Sequence, residues 1–177
     1  MLDIVQQTIQ YYTKYKKTPQ LTDLTIKDTD LLKNQAQVFV TIYHKGEIRW
    51  SAWNIKEIAE NSVQELIENT IAAISQDSRF KPLELSEVKD IKIRIDIISS
   101  RNIIANIKDL ANIDPVKNGV IAIKQNYSKA CVILPNISPL LMIGSDIAGA
   151  ISQKLWEKFD EKNLILYKIE TENINNI

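Results

Sequence analysis

The sequence predicts an α+β fold, and three observations carry that expectation. Residues 38–53 read as two strands of period-2 alternation around a tight turn. Residues near 2–16 and 63–75 place apolar side chains at helical spacing. Strand and helix patterns then mix along the chain without the regular βαβ alternation of a parallel sheet.

Leu2, Val5, Ile9 and Tyr12 form the apolar stripe of the first helix, and Thr18-Pro19 ends it. The polar segment to Asn34 is an irregular connection anchored by Leu21, Leu24, Leu31 and Leu32, with a short helix near 28–33. Val38, Val40 and Ile42 alternate with Phe39, Thr41 and Tyr43, a β-branched and aromatic run suited to a pleated strand. His44-Lys45-Gly46-Glu47 is the turn, because Gly46 accepts the positive φ a hairpin needs. Ile48 to Trp53 is the returning strand. Ser62-Val63-Gln64-Glu65 fits a capping box, after which Val63, Leu66, Ile67, Thr70, Ile71 and Ile74 share one helical face.

Ile91, Ile93, Ile95 and Ile97 alternate with Lys92, Arg94 and Asp96, giving a strand with one core face and one polar face. Four isoleucines need a large apolar partner, and the helix from Val63 to Ser75 offers the longest stripe. Ser99-Ser100-Arg101-Asn102 is expected to break this strand, and residues 103–109 fit a strand or a short helix equally well. Asp114-Pro115 and Asn118-Gly119 mark turns. Residues 120–124 and 129–134 form a second hairpin about Gln125-Asn126-Tyr127-Ser128, followed by a loop from Leu134 to Pro139. Ser145 or Asp146 caps a helix carrying Ile147, Ile151, Leu155 and Phe159 on one face. Leu164 to Ile169 is the last strand. The Asn-rich stretch 171–177 is expected to fray as a polar tail, leaving one domain over 1–170.

Composition narrows the function. Lys+Arg and Asp+Glu are equal at 22 each, so no global charge favours nucleic acid or acidic membranes. One Cys cannot form an internal disulfide, which fits a reducing cytoplasm, the expected location. The start, Met1-Leu2-Asp3-Ile4, shows no signal-peptide pattern. No apolar run approaches the roughly 20 residues that span a bilayer, so no membrane partner is expected. The longest run, near 140–151, is interrupted by Gly144, Ser145 and Asp146. His44 is the only His and sits in a turn, a poor place for a Ser-His-Asp relay. One His and one Cys cannot supply a zinc site, and Cys131 reads as a small buried strand residue. There is no Walker loop and no GxGxxG. No catalytic residue, cofactor or metal is assigned. Tyr11, Tyr12 and Tyr15 among Lys14, Lys16 and Lys17 could stack RNA bases, but the sequence favours the plainer reading, lysines that complement a helix C-terminus.

Two short motifs carry a resemblance. The hairpin runs into Ile48-Arg49-Trp50-Ser51-Ala52-Trp53, and the helix runs into Asp77-Ser78-Arg79-Phe80-Lys81-Pro82-Leu83. This order resembles the AMMECR domain family, which shows a Gly-containing hairpin, Leu-Arg-Gly-Cys-Ile-Gly, a helix, and Asp-Pro-Arg-Phe-x-Pro-Leu. The strand 91–99, Gly119 to Ile123, Leu134-Pro135 and Leu166-Tyr167-Lys168 follow in family order. The first motif keeps its Arg but has Trp for both Gly residues and Ser for Cys; the second differs only at Ser78. The resemblance implies a mainly antiparallel sheet with packed helices and a smaller inserted subdomain. It also implies a cleft at Arg49 and Ser51, and association with Memo-like and radical-SAM proteins of a modification pathway.

The candidate binding residues are therefore Arg49, Trp50, Ser51, Trp53, Asp77 and Arg79. If the strand is regular, Trp50 and Trp53 lie on opposite faces and Arg49 shares a face with Trp53. The expected role is an accessory protein that binds a protein partner or a small anionic ligand. The alternatives are an enzyme using the Arg49/Ser51 cleft, and RNA binding by the Tyr/Lys helix. Oligomeric state is left open by the sequence.

Overall fold

The computed structural model describes residues 1–55, 59–136 and 144–177. The chain forms two compact units: Met1–Ile97 with Asn173–Ile177, and the smaller inserted segment Ile98–Glu172. The helices are α1 (Leu2–Tyr15), α2 (Ser62–Gln76) and α3 (Gly144–Leu155), and the strands are β1 (Val38–His44), β2 (Glu47–Trp53), β3 (Ile91–Ile103), β4 (Asn118–Lys124), β5 (Ala130–Ile133) and β6 (Leu164–Asn175). Strand pairing follows the order β2-β1-β3-β6-β4-β5. The β1–β2, β1–β3, β4–β5 and β4–β6 ladders are all antiparallel. The class is α+β, as the sequence predicts. Among the described residues no helix is long and apolar enough to cross a membrane.

In the first unit, α1 buries Ile4, Val5 and Ile9 and ends at Lys16, whose left-handed backbone (φ 54°) donates its N–H to the Tyr12 carbonyl. The β1–β2 turn takes positive φ at both Lys45 (54°) and Gly46 (84°), the twist that matches a hairpin. The stripe of α2 is buried from Val63 to Ile74, and α2 lies chiefly over β1 and β2. Ile93 and Ile95 of β3 enter the same core as α1 and α2, while Ile91 and Ile97 pack at its margin.

Some expectations need correction. The cap of α2 is Asn61, whose Oδ1 accepts from Gln64 N–H at 3.0 Å. Asn61 has the extended backbone a cap requires; Ser62 lies inside the helix, donates to the Asn34 carbonyl, and leaves Glu65 free to turn inward. The second face of β3 is polar as expected, with Lys92 exposed on it, but Arg94 and Asp96 are buried as an ion pair at 2.7 Å. The strand also runs on through Ser99-Ser100-Arg101-Asn102 to Ile103, because Arg101 lays its guanidinium 4.0 Å from the centroid of Tyr167 on β6. Finally, residues 171–175 continue β6 rather than fray. Asn176 holds that end, donating its N–H to the Ile93 carbonyl and accepting the Ile93 N–H on Oδ1.

In the second unit, β4 and β5 pair about a turn in which Tyr127 is left-handed (φ 57°). Gly119 is required where it stands, because a Cβ there would collide with the Ile133 carbonyl oxygen. Ile147, Ile151 and Leu155 of α3 are buried with Leu110, Val120 and Leu166. Ser145 and Asp146 lie within the first turn of α3, not at its cap. The part of the expected loop from 137 to Pro139 lies outside the described residues.

Ile95 is fully buried. Replacing it with Ala should cost about 2–5 kcal/mol through the cavity left behind, read by urea denaturation. A change below about half a kcal/mol would mean that this face of β3 is not core.

Candidate functional site

The site begins with a fault in the β1–β2 register. Ile42 pairs with Trp50, but Tyr43 pairs with Ile48, so Arg49 is the extra residue of a β-bulge. A bulge puts two successive side chains against one residue of the partner strand and re-aims them. Arg49 is thereby turned to the side of Trp50. Its guanidinium carbon sits 5.0 Å from the Trp50 ring centroid and 5.4 Å from that of Phe80. The expectation that Arg49 and Trp53 share a face rested on a regular strand, and the bulge overturns it.

Trp50 is 1% exposed and belongs to the core of the first unit. Its indole N–H is satisfied by the Lys81 carbonyl at 2.9 Å. Trp53 lies on the other face of the hairpin, only partly exposed, stacked on Phe39 with ring centroids 6.1 Å apart. The two indoles do occupy opposite faces.

Asp77, just past the end of α2, ties the loop to the strand. Its Oδ2 accepts the Ser51 N–H at 3.1 Å and an Arg79 Nη2–H at 2.6 Å. Its Oδ1 accepts the Arg79 N–H at 3.2 Å and Nε–H at 2.8 Å. The same Arg79 Nη2 donates to the Ser51 hydroxyl oxygen at 2.8 Å. The Asp77 side chain is 6% exposed and that of Arg79 49%. Burial pushes the Asp77 carboxyl up, but the Arg79 guanidinium and the Ser51 and Arg79 backbone N–H groups outweigh it, so the group stays below its ordinary value. The hydrogen bond to Asp77 raises Arg79 in turn.

Five of the six candidate residues thus meet in one place, and Trp53 stands apart from them. Phe80 and the Lys81 carbonyl belong to the site as well, since Arg79 also lies 5.5 Å from the Phe80 centroid. Nothing in the alternation of 47–53 marks the bulge, so the Arg49–Phe80 contact could not be read from sequence. Arg49 differs from Arg79 in one respect. Its Nε is buried without a hydrogen-bond partner, and it has no carboxylate partner among the described residues.

For nucleophilic chemistry the site is poorly equipped. The Ser51 oxygen is an acceptor for Arg79, and Asp77, the carboxylate beside it, is a weakened base. The His44 ring lies 6.3 Å from that of Trp50 and makes no hydrogen bond to Ser51. Cys131 is buried in β5, which pushes its thiol up to about 11. Among the described residues no group of three His, Cys, Asp or Glu could hold a metal. On α1, Tyr11 and Tyr15 contact each other at 4.8 Å, and Lys14 lies 4.9 Å from the Tyr15 ring.

Residues 2–145 match the AMMECR1 family. A Thermotoga maritima protein is 32% identical over 119 residues, covering 67% of this chain and 66% of its own length. A Clostridium acetobutylicum protein is 27% identical over 144 residues, covering 81% of this chain but only 29% of its own length. The chain therefore matches less than two thirds of either relative. The crystal structure of an uncharacterized protein from Pyrococcus horikoshii shares the fold, with a TM-score of 0.81 at 20% identity, over 98% of this chain and 88% of that one.

Asp77 stabilises the fold only while ionised. That contribution is complete above its unfolded value of 3.8 and is lost as pH falls through the lower folded value. Asp77→Asn should cost about 1.5–3 kcal/mol at pH 7, as for hydrogen bonds to a charged group. The gap from wild type should shrink well below pH 3.8, and equal gaps in urea melts at both pH values would refute this. Serine-reactive probes should leave Ser51 unlabelled. Stoichiometric labelling that Ser51→Ala abolishes would establish an activated nucleophile.

Proposed function

The chain belongs to the AMMECR1 family, and on that premise we propose that it is an accessory protein that binds an anionic group at Arg49. The group is a carboxylate or phosphate carried by a small ligand or by a partner protein. One observation carries the reading: Arg49 is a cation lodged between Trp50 and Phe80, with a buried Nε that no acceptor among the described residues satisfies. Arginine is suited to this because its planar fork meets a carboxylate or phosphate with two parallel bonds. The ring contacts hold the fork in place and lower the entropy lost on binding. Arg79, half exposed on the same phenyl ring, adds a second positive charge that Asp77 largely balances.

The reading places the protein beside the Memo-like and radical-SAM proteins that accompany the family, as the component that holds a charged substrate or partner. The enzyme alternative is disfavoured by the occupied Ser51 oxygen and the weak Asp77 base. RNA binding by α1 is disfavoured because Tyr11, Tyr15 and Lys14 already engage one another.

Calorimetric titration with inorganic phosphate and with succinate tests the proposal. Arg49→Met should weaken binding of at least one probe tenfold or more, about 1.4 kcal/mol. Equal affinity in wild type and Arg49→Met, or no binding of either probe, would remove Arg49 from the role.

A further inference from the structure

We propose that a groove along α2 binds a primary alkylammonium group, with Glu65 as its buried counter-charge. The site is separate from Arg49, so either proposal can fail without the other.

The groove encloses about 280 Å³ and follows one stripe of α2, through Glu68, Asn69, Ala72 and Gln76. Residues three and four apart on a helix lie on one face, and Glu65 is the preceding position of that stripe. Asn54 closes the groove from the segment after β2, and Ile71 with Ala72 supplies an apolar floor. Among the described residues, no Lys or Arg lines it.

Glu65 is 1% exposed. Its Oε1 accepts from Asn54 Nδ2 at 3.0 Å and from Asn69 Nδ2 at 2.9 Å. Both of these residues line the groove, so Glu65, itself not a lining residue, is hydrogen-bonded to the groove wall. Its Oε2 is buried and has no hydrogen-bond partner among the described residues. Asn69 Nδ2 cannot supply one, because its second N–H goes to the Val38 carbonyl at 3.1 Å. Among the described residues this buried carboxyl group is held only by neutral amides, with one oxygen orphaned and no cationic donor beside it.

A primary ammonium answers each of these features. It brings a positive charge and three N–H donors, enough for Glu65, for Glu68 and for a carboxamide oxygen of the wall. Its methylene chain suits the Ile71 and Ala72 floor. A quaternary ammonium has the charge without the donors and should bind poorly. The amine could be a free diamine or the side chain of a lysine residue.

Calorimetry on the full chain at low ionic strength separates these cases, using putrescine, Nα-acetyl-lysine methylamide and tetramethylammonium. At least one primary amine should bind with a stoichiometry of about one, tenfold or more tighter than tetramethylammonium, and the one that binds identifies the source. Glu65→Gln should weaken it at least tenfold. Ala72→Leu, which fills the floor and leaves Glu65 in place, should do the same and decides the matter should Glu65→Gln not fold. Absence of binding by both primary amines, equal binding of tetramethylammonium, or unchanged affinity in the folded variants overturns the proposal.

Discussion

The carboxylate of Asp77 is the constraint on which the first unit depends. β2 ends the strand order, so its outward N–H groups have no ladder to join. An open edge of this kind invites another strand. Asp77 takes the Ser51 N–H of that edge and is held charged by Arg79, which also grips the Ser51 hydroxyl. Burying the charge is tolerable because four N–H contacts from Ser51 and Arg79 surround it. The loop that follows is fixed by the same tie. Phe80 is set against Arg49, and the Lys81 carbonyl is set under the Trp50 indole.

This arrangement explains how the hairpin accepts tryptophan where the family pattern has glycine. Trp50 is absorbed by the core, and its one polar atom is satisfied by a loop carbonyl. Trp53 is accommodated on the opposite face by stacking on Phe39. The bulge at Arg49 then leaves a cation, rather than a thiol, as the chemically distinctive group of the site. The surface that the sequence suggested, with Trp53 and Arg49 side by side, does not form.

Much of the fold was legible in the sequence because burial leaves a period. The stripes of α1, α2 and α3, the isoleucines of β3 and both hairpins follow from spacing alone. The losses came where a polar residue was satisfied by something distant in sequence. Ser99 to Asn102 look like a break, yet Arg101 finds Tyr167 on another strand. The Asn-rich end looks solvated, yet Asn176 closes a reciprocal pair with Ile93. Ser62 looks like a cap, yet Asn61 takes that place and frees Glu65 for the interior. At the site, the type and grouping of residues were readable, but the one-residue slip at Arg49 was not. It keeps the alternation of 47–53 intact and shows only in the pairing with β1.

Amide hydrogen exchange at Ser51 tests this account most directly, because its N–H has a side-chain oxygen as its acceptor. In the wild-type protein at pH 7 that amide should be protected to the level of the β1–β2 ladder. In Asp77→Asn, compared under conditions where both proteins are folded, it should exchange much faster, while ladder amides of β1 keep their relative order of protection. Fast exchange at Ser51 in the wild type, or equal protection in the two proteins, would contradict the claim that the Asp77 carboxylate holds the edge of the hairpin.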